Sequence, residues 1–199
     1  MASKILILPG HVFLFSGHMI DGKERTQDGT PGRKPPRFPP DCEPQVARAI
    51  ETKLDELGAD GGDLGITEGA CGGDLLFAEA MLARGAELEL HLPFEEAVFL
   101  ERSVDFEKAP SALPDRWHDR FLAVRRHPSV RTKIMPHERC NLWMLERALS
   151  FGAEHVRFIC LWNGEGGDGK GGTQHMRNAV KGRGGTEHWL NIRRICERQ

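Results

Sequence analysis

The sequence lacks a charge surplus and the close cysteine or histidine spacings of a metal site. Its 199 residues carry a formal net charge of −2 with a pI near 6.5, which gives no electrostatic footprint for nucleic acid or anionic membranes. The five cysteines form no CxxC pair and the nine histidines no HxxxH pair. We therefore expect no nucleic-acid or membrane partner, no metal, no disulfide framework, and a reducing, cytoplasmic location.

A long uninterrupted apolar run is also missing. The N-terminal stretch KILILPGHVFLFSG is interrupted by Pro9, Gly10 and His11, and no small-x-small cleavage pattern follows it. The stretch is also too short to cross a bilayer. It is typical of a buried strand in one or two pieces, not of a signal peptide.

Apolar runs alternate with amphipathic segments along the rest of the chain. The patterns predict strands at Val12–Ser16, Asp63–Thr67, Glu87–Phe94, His155–Trp162 and in EHWLNI, and helices at Gln45–Leu57, Asp74–Arg84, Glu95–Val104, in ERCNLWMLERALSFG and from about Gln174 to Lys181. Such alternation predicts a Rossmann-like three-layer α/β sandwich with a mainly parallel sheet.

We expect one domain over residues 1–199, with irregular insertions at about 21–44 and 105–136. The first insertion is rich in proline and basic residues. In the second, Trp117, Phe121 and Val124 are candidate anchors onto the core. The alternation in ELELHLPF predicts a half-exposed or an edge-proximal strand.

Three glycine-rich corners follow predicted strands, and in open parallel sheets ligands bind beyond those strand ends. Helix N-termini there offer free N–H donors and partial positive charge, and glycine allows an anion to approach them. The sequence therefore predicts a phosphate-binding site built from Ser16, Gly17, His18, Gly69, Ala70, Cys71, Gly72, Gly73, Asp74, Gly171, Gly172 and Thr173.

Each corner also has a simpler interpretation. Asp74 can cap the helix that follows it, Cys71 can be a small buried thiol, and His18 can make a hydrogen bond within its loop. The loop GEGGDGKGGT can be a solvent-exposed loop; it lacks the Walker pattern because glycine follows Lys170.

Further candidates lie near these corners. Glu68 and Asp74 are the candidate catalytic carboxylates, and for Glu68 a solvated surface position is equally open. Trp143 is interpreted as a core residue rather than a stacking platform. Basic or amide side chains that can contact a ligand at the rim are Arg37, with Arg33 and Lys34 beside it, Arg139, Asn141 and Asn163.

The order of FSGH, GACGGDLLFAEAMLARGA and a GGT that opens a helix resembles the SLOG superfamily. This Rossmannoid group includes the Lonely Guy (lysine decarboxylase-like) and DprA proteins. RFPP, LPFEEAVFLERSV, NLWMLERAL and CLWNGEGGDGKGGTQHM are closer to an uncharacterised bacterial branch that accompanies signalling modules. The resemblance implies a nucleotide-like ligand at the strand tips and frequent dimers.

The resemblance also shows where this chain departs from the Lonely Guy enzymes, which cleave nucleoside 5′-monophosphates with a GGxGTxxE pattern. Gly172 and Thr173 match the GT, but Met176 stands at the glutamate position, and Lys170 replaces one glycine of the first pair. Unless Glu68, Asp74 or Asp168 substitutes, the resemblance implies that this chemistry is absent.

The leading expectation is therefore a domain that binds and senses a nucleotide or nucleotide-derived molecule in a bacterial signalling or stress pathway. Signalling-protein partners and a homodimer are expected assemblies, and no separate cofactor is expected. Two alternatives stay open: a nucleoside 5′-monophosphate phosphoribohydrolase, and a protein-interaction module with a decayed site.

Overall fold

The structure is a computed structural model, and it describes residues 8–22, 36–105, 115–135, 139–165 and 172–197. Within these ranges the chain alternates strands and helices as the sequence predicts. Six parallel strands form one sheet in the order β4-β3-β2-β1-β5-β6. They are β1 (Val12–Gly17), β2 (Leu64–Thr67), β3 (Glu87–Leu92), β4 (Val130–Ile134), β5 (Val156–Trp162) and β6 (Glu187–Asn191).

Helices cover both faces of this sheet. They are α1 (Glu43–Glu56), α2 (Gly73–Ala83), α3 (Glu96–Phe99), α4 (Asp115–Arg126), α5 (Cys140–Leu149), α6 (Thr173–Lys181) and α7 (Ile192–Cys196). A short 3-10 turn (Pro40–Cys42) precedes α1, and a π-helical turn (Leu100–Val104) continues α3. The predicted α/β fold with a parallel sheet is confirmed.

The sheet separates two hydrophobic cores because alternate strand residues point to opposite faces. Phe13 and Phe15 of β1 pack in one core with α1, α2, α4 and α7. Val12 and Leu14 of the same strand pack in the other with α5 and α6. Each strand of the sheet centre is thus buried on both sides, which explains its continuous apolar run.

Glycines end the first two long helices where the sequence predicts. Gly58 follows α1 with φ 72°, and Gly85 follows α2 with φ 78°. Only glycine adopts this left-handed conformation without steric cost, so each residue stops its helix and turns the chain back towards the sheet.

The expectation of an irregular segment over 105–136 is wrong for the residues described there, which form α4 and β4. Strand β4 lies at the edge of the sheet and has no fully buried residue, so it carries no strong apolar pattern. Phe121 and Val124 of α4 are buried, as expected of core anchors, whereas Trp117 is only partly buried against the core. Of the 21–44 segment, residues 23–35 lie outside the described parts.

Two side-chain expectations are also wrong. Strand β3 is not half-exposed, because Glu89 and His91 are buried beneath α5 and paired with each other and with basic side chains. Trp143 is exposed on α5 instead of buried in the core. Periodicity alone did not identify the ion-pair cluster that allows polar residues on β3 to be buried.

The structure joins Cys42, before α1, to Cys196, at the end of α7, in a disulfide. The expectation of unpaired cysteines is therefore wrong for this pair. The two residues are 154 positions apart in sequence, and only folding brings their Cα atoms to 5.5 Å. Local spacing rules do not detect such a pair. Among the described residues, no helix has the length and apolar character needed to traverse a bilayer.

Candidate functional site

The carboxyl ends of β1 and β5 mark the point at which the connections of the sheet diverge. From β1 the chain moves outward through β2, β3 and β4, and it then returns to the opposite side of β1 at β5. The helices that follow these two central strands, α1 and α6, cover opposite faces. Open α/β sheets leave a crevice at such a switch point, and this is where their ligands bind.

A cavity of about 200 Å³ lies at this point. Its walls come from the ends of β1 and β2, the first turn of α2, the π-helical turn, and the N-termini of α5 and α6. The lining residues are Phe15, Ser16, Gly17, His18, Met19, Glu68, Ala70, Asp74, Ser103, Asn141, Met144, Gly172 and Thr173. The corners after β1 and β2 and the start of α6 therefore meet at one edge of the sheet.

Some residues predicted for the site lie beside this cavity without lining it. Gly69, Cys71, Gly72 and Gly73 form the back of the corner after β2, and Arg139 is exposed at the start of α5. The amide of Arg37 donates to Asp21, and Asn163 contacts His18 behind the wall. Gly171, Asp168, Arg33 and Lys34 lie outside the described residues.

Three glycines, Gly17, Gly72 and Gly73, allow the corners after β1 and β2 to pack closely together. They do not form an opening for a ligand. A Cβ at Gly72, where φ is 97°, would stand 2.5 Å from the amide nitrogen of Ile20. One at Gly73 would stand 2.8 Å from Leu161 Cδ2 and 3.3 Å from the Cα of Gly17. The glycine run therefore lets the chain after β1 lie directly on the start of α2, and this contact fixes the cavity wall.

The N-termini of α2, α5 and α6 all contribute residues to the cavity. Their N-cap residues are Gly72, Arg139 and Gly172, and none of these makes a side-chain capping bond. The capping interpretation of Asp74 is therefore wrong, since Gly72 occupies that position. Three converging helix N-termini supply partial positive charge to one small space, which favours a negatively charged group.

Asp74 joins two of the corners through its carboxylate. Its Oδ1 accepts a hydrogen bond from the amide of Gly17 at 3.1 Å, and its Oδ2 accepts one from the amide of Ala70 at 3.4 Å. Burial raises the pKa of Asp74 to about 7, although these backbone bonds favour the ionised form. Its carboxyl group therefore changes charge close to neutral pH.

Glu68 stands next to Asp74 in the cavity wall and is half-buried there. Burial raises the pKa of Glu68 to about 8, the charge of Asp74 raises it further, and a hydrogen bond with Cys140 acts in the opposite direction. Near pH 7 the two carboxyl groups therefore carry at most about one negative charge between them. Glu68 is therefore a half-buried residue of the cavity wall and not a fully solvated surface carboxylate.

The cysteines near the site are not poised as nucleophiles. Burial raises the pKa of the Cys71 and Cys140 thiols far above their usual range. Cys71 is buried, as the simpler interpretation expected, and Cys140 donates to the backbone oxygen of His91 at 3.3 Å. Protonated thiols do not attack electrophiles, so any chemistry here falls to other groups.

Further polar side chains complete the walls. His18 Nε2 and Asn163 Oδ1 are 3.0 Å apart, and Asn141 Nδ2 donates to the carbonyl oxygen of Gly172 at 3.3 Å. The hydroxyls of Ser16 and Thr173 are 3.4 Å apart across the mouths of β1 and α6. These contacts hold the strand ends and the helix starts in one rigid arrangement.

Met176 points away from the cavity into the core beneath α6, where it is fully buried. The position at which the Lonely Guy pattern carries glutamate is thus an apolar packing position in this chain. Among the described residues, no group of three or more histidine, cysteine, aspartate or glutamate side chains could hold a metal ion.

Sequence reasoning missed four lining residues: Phe15, Met19, Ser103 and Met144. Ser103 reaches the site because its carbonyl oxygen accepts the amide of Cys71 at 2.9 Å, which ties the π-helical turn to the corner. Nothing in the local pattern signals this contact. Met19 adjoins a predicted corner and could have been included on that ground.

In comparisons with known proteins, no protein-family model matches this chain, and no curated protein matches it. The fold and the site define a Rossmann-like α/β protein with a polar cavity at the switch point of its sheet.

Proposed function

We propose that this protein binds a nucleotide or a nucleotide-derived phosphorylated small molecule in the switch-point cavity, as a sensing domain of a bacterial signalling or stress pathway. The observation that carries the proposal is the convergence, on one cavity between β1 and β5, of three helix N-termini whose N-cap residues make no side-chain capping bond. The resemblance of the glycine corners to the SLOG superfamily supports the nucleotide class.

The size of the cavity also fits this class. A volume of about 200 Å³ is below the range of roughly 300–1,000 Å³ that encloses drug-sized ligands. It suits the sugar-phosphate part of a nucleotide, with the base outside the described walls. Thr173 is the side chain best placed to donate to a phosphate oxygen, because it opens α6 and its hydroxyl faces Ser16.

Thermal shift against AMP, cyclic nucleotides and ADP-ribose tests the proposal, since a ligand that binds only the folded state raises its melting temperature. For a ligand that raises it, Thr173→Val should weaken binding about tenfold through loss of one hydrogen bond to a charged group. Thr52→Val, on the exposed side of α1, is the matched control and should leave the affinity unchanged. Flat melting curves across the panel would reject the proposal.

A hydrolytic function is a second candidate, favoured by the adjacent carboxyl groups of Glu68 and Asp74. With pKa values of about 8 and 7, one group can donate a proton to a leaving base while the other stays ionised to stabilise positive charge on the sugar. This arrangement supports cleavage of an N-glycosidic bond.

Release of adenine from AMP, followed by chromatography, tests this second function. Glu68→Gln and Asp74→Asn should each abolish the release, whereas Glu51→Gln on the exposed face of α1 should not change it. Absence of free base with the unaltered protein would leave binding without hydrolysis.

A further inference from the structure

Two carboxyl groups face the cavity, and no lysine or arginine stands among its described lining residues. Glu68 follows β2, and Asp74 lies in the first turn of α2. A phosphate group drawn in by the helix N-termini therefore meets acidic side chains instead of basic ones. A proton added to the acidic pair would offset this repulsion.

Among the described residues that line the cavity, no lysine or arginine supplies positive charge to the pair. Cys140 lies near Glu68 at the start of α5, and Asp74 receives hydrogen bonds from the backbone amides of Gly17 and Ala70. The other titratable groups facing this region are His18, from the segment after β1, Cys71, from the corner itself, and Asp105, which follows the π-helical turn. Of these, only His18 can carry a positive charge.

We propose that ligand binding in this cavity is coupled to uptake of one proton by the Glu68–Asp74 pair, so that the site responds to pH as well as to ligand concentration. This inference rests on the proposed function. Once protonated, a carboxyl group becomes a hydrogen-bond donor and can contact a phosphate oxygen directly. Binding then replaces a repulsive contact with an attractive one.

The raised pKa values of both groups agree with this coupling, because each carboxyl group already holds its proton to near-neutral pH in the free protein. An anionic ligand raises those pKa values further. The affinity should therefore fall about tenfold per pH unit above about pH 8, as expected when one proton is taken up.

Isothermal titration calorimetry with AMP measures this coupling directly. The titrations run between pH 7.5 and 9.5, in pairs of buffers with different ionisation heats, so that the difference in heat reports the protons taken up. Over this range the AMP phosphate is already fully ionised, since its second pKa is about 6. We expect proton uptake close to one per AMP at pH 9.

Glu68→Gln should reduce the uptake and flatten the pH dependence of Kd, and Asp74→Asn provides a second, independent variant. Glu51→Gln, far from the cavity, should behave like the unaltered protein. His18→Asn tests whether the imidazole, and not the carboxyl pair, takes up the proton. We expect this variant to retain the proton uptake. A thermal melt of each variant establishes that it is folded.

The outcomes separate this inference from the function on which it rests. AMP binding with a constant Kd and no proton uptake would overturn the coupling and leave the binding function intact. Uptake that persists in Glu68→Gln and Asp74→Asn but vanishes in His18→Asn would also overturn it. If neither AMP nor ADP-ribose binds at any pH, both proposals fall.

Discussion

Two buried acidic clusters in this protein behave in opposite ways. At the cavity, Glu68 and Asp74 have raised pKa values of about 8 and 7. On β3, burial also raises the pKa of Glu89, but hydrogen bonds from His91, Arg147 and Lys133 outweigh it and hold the pKa far below its usual range. Burial is common to both clusters, so the difference comes from the partners that the fold supplies.

The Glu89 carboxylate is paired with several basic side chains. Arg147 Nη2 and Lys133 Nζ each lie 2.7 Å from a carboxylate oxygen of Glu89, and His91 Nε2 lies 3.0 Å from one. In the cavity cluster, by contrast, Asp74 receives hydrogen bonds from backbone amides, and no lysine or arginine stands among the described lining residues. A buried acid with cationic partners stabilises the fold, whereas a buried acid without them is a mark of a functional site.

The largest effect on stability is expected when Glu89 loses one of its cationic partners. Arg147→Met should lower the free energy of unfolding by about 3 kcal/mol, because it leaves the buried Glu89 carboxylate with fewer partners and removes the guanidinium that also lies over the Phe151 ring. Urea unfolding at pH 7 measures it.

A matched control lies on the same two strands. Arg131 also pairs from β4 to β3, with Glu87, but the two side chains are 56% and 55% exposed. Arg131→Met should therefore change the free energy of unfolding by less than about 0.5 kcal/mol. Equal losses in the two variants would contradict the assignment of Glu89 as a buried ion-pair centre.

A smaller effect is expected from the pH dependence of stability at the cavity. The folded-state pKa of Glu68, about 8, is above its ordinary value of 4.5, so its contribution to stability is fully present below about pH 4.5 and is lost as the pH rises through 8. Glu68→Gln should therefore be more stable than the unaltered protein at pH 9, by about 2 kcal/mol, with little difference at pH 5. Thermal and urea unfolding across this range measure it.

Glu89→Gln tests the difference between the two clusters, because the pH dependence of its effect on stability should be opposite to that of Glu68→Gln. The stability due to the ionised Glu89 is present above about pH 4.5 and is lost as the pH falls below that value. This variant should lose stability at pH 7 and become less sensitive to acid, with no gain at pH 9. A gain in both variants at pH 9 would show that the two clusters do not differ.

Much of the fold could be predicted from local patterns. The apolar run of β1, the amphipathic face of α1 and the stops at Gly58 and Gly85 each depend on neighbouring residues, so periodicity and glycine placement revealed them. Strand β4 was missed because an edge strand buries little and needs little apolar character. The corners after β1 and β2 were found because glycine closely follows each of these predicted strands.

The charge and hydrogen bonding of the site could not be predicted in this way, because they depend on residues that are distant in sequence. The sequence placed Glu68 and Asp74 at one corner, but it did not reveal that the fold withholds basic side chains from the described wall around them. Nor did it reveal the pairing of Glu89 with Arg147, or of Cys42 with Cys196. Those residues are far apart along the chain, and no local pattern records which of them will meet.

The sequence by itself determined the alternation of strands and helices, the glycine corners and the types of group available at the strand ends, since these follow from steric and hydrophobic preferences over a few residues. Only the tertiary structure decided that Gly72 and Gly73 serve chain packing and that no lysine or arginine stands among the described residues lining the cavity with its acids. The charge of a buried carboxyl group depends on every group within a few ångströms, and that neighbourhood exists only once the chain has folded.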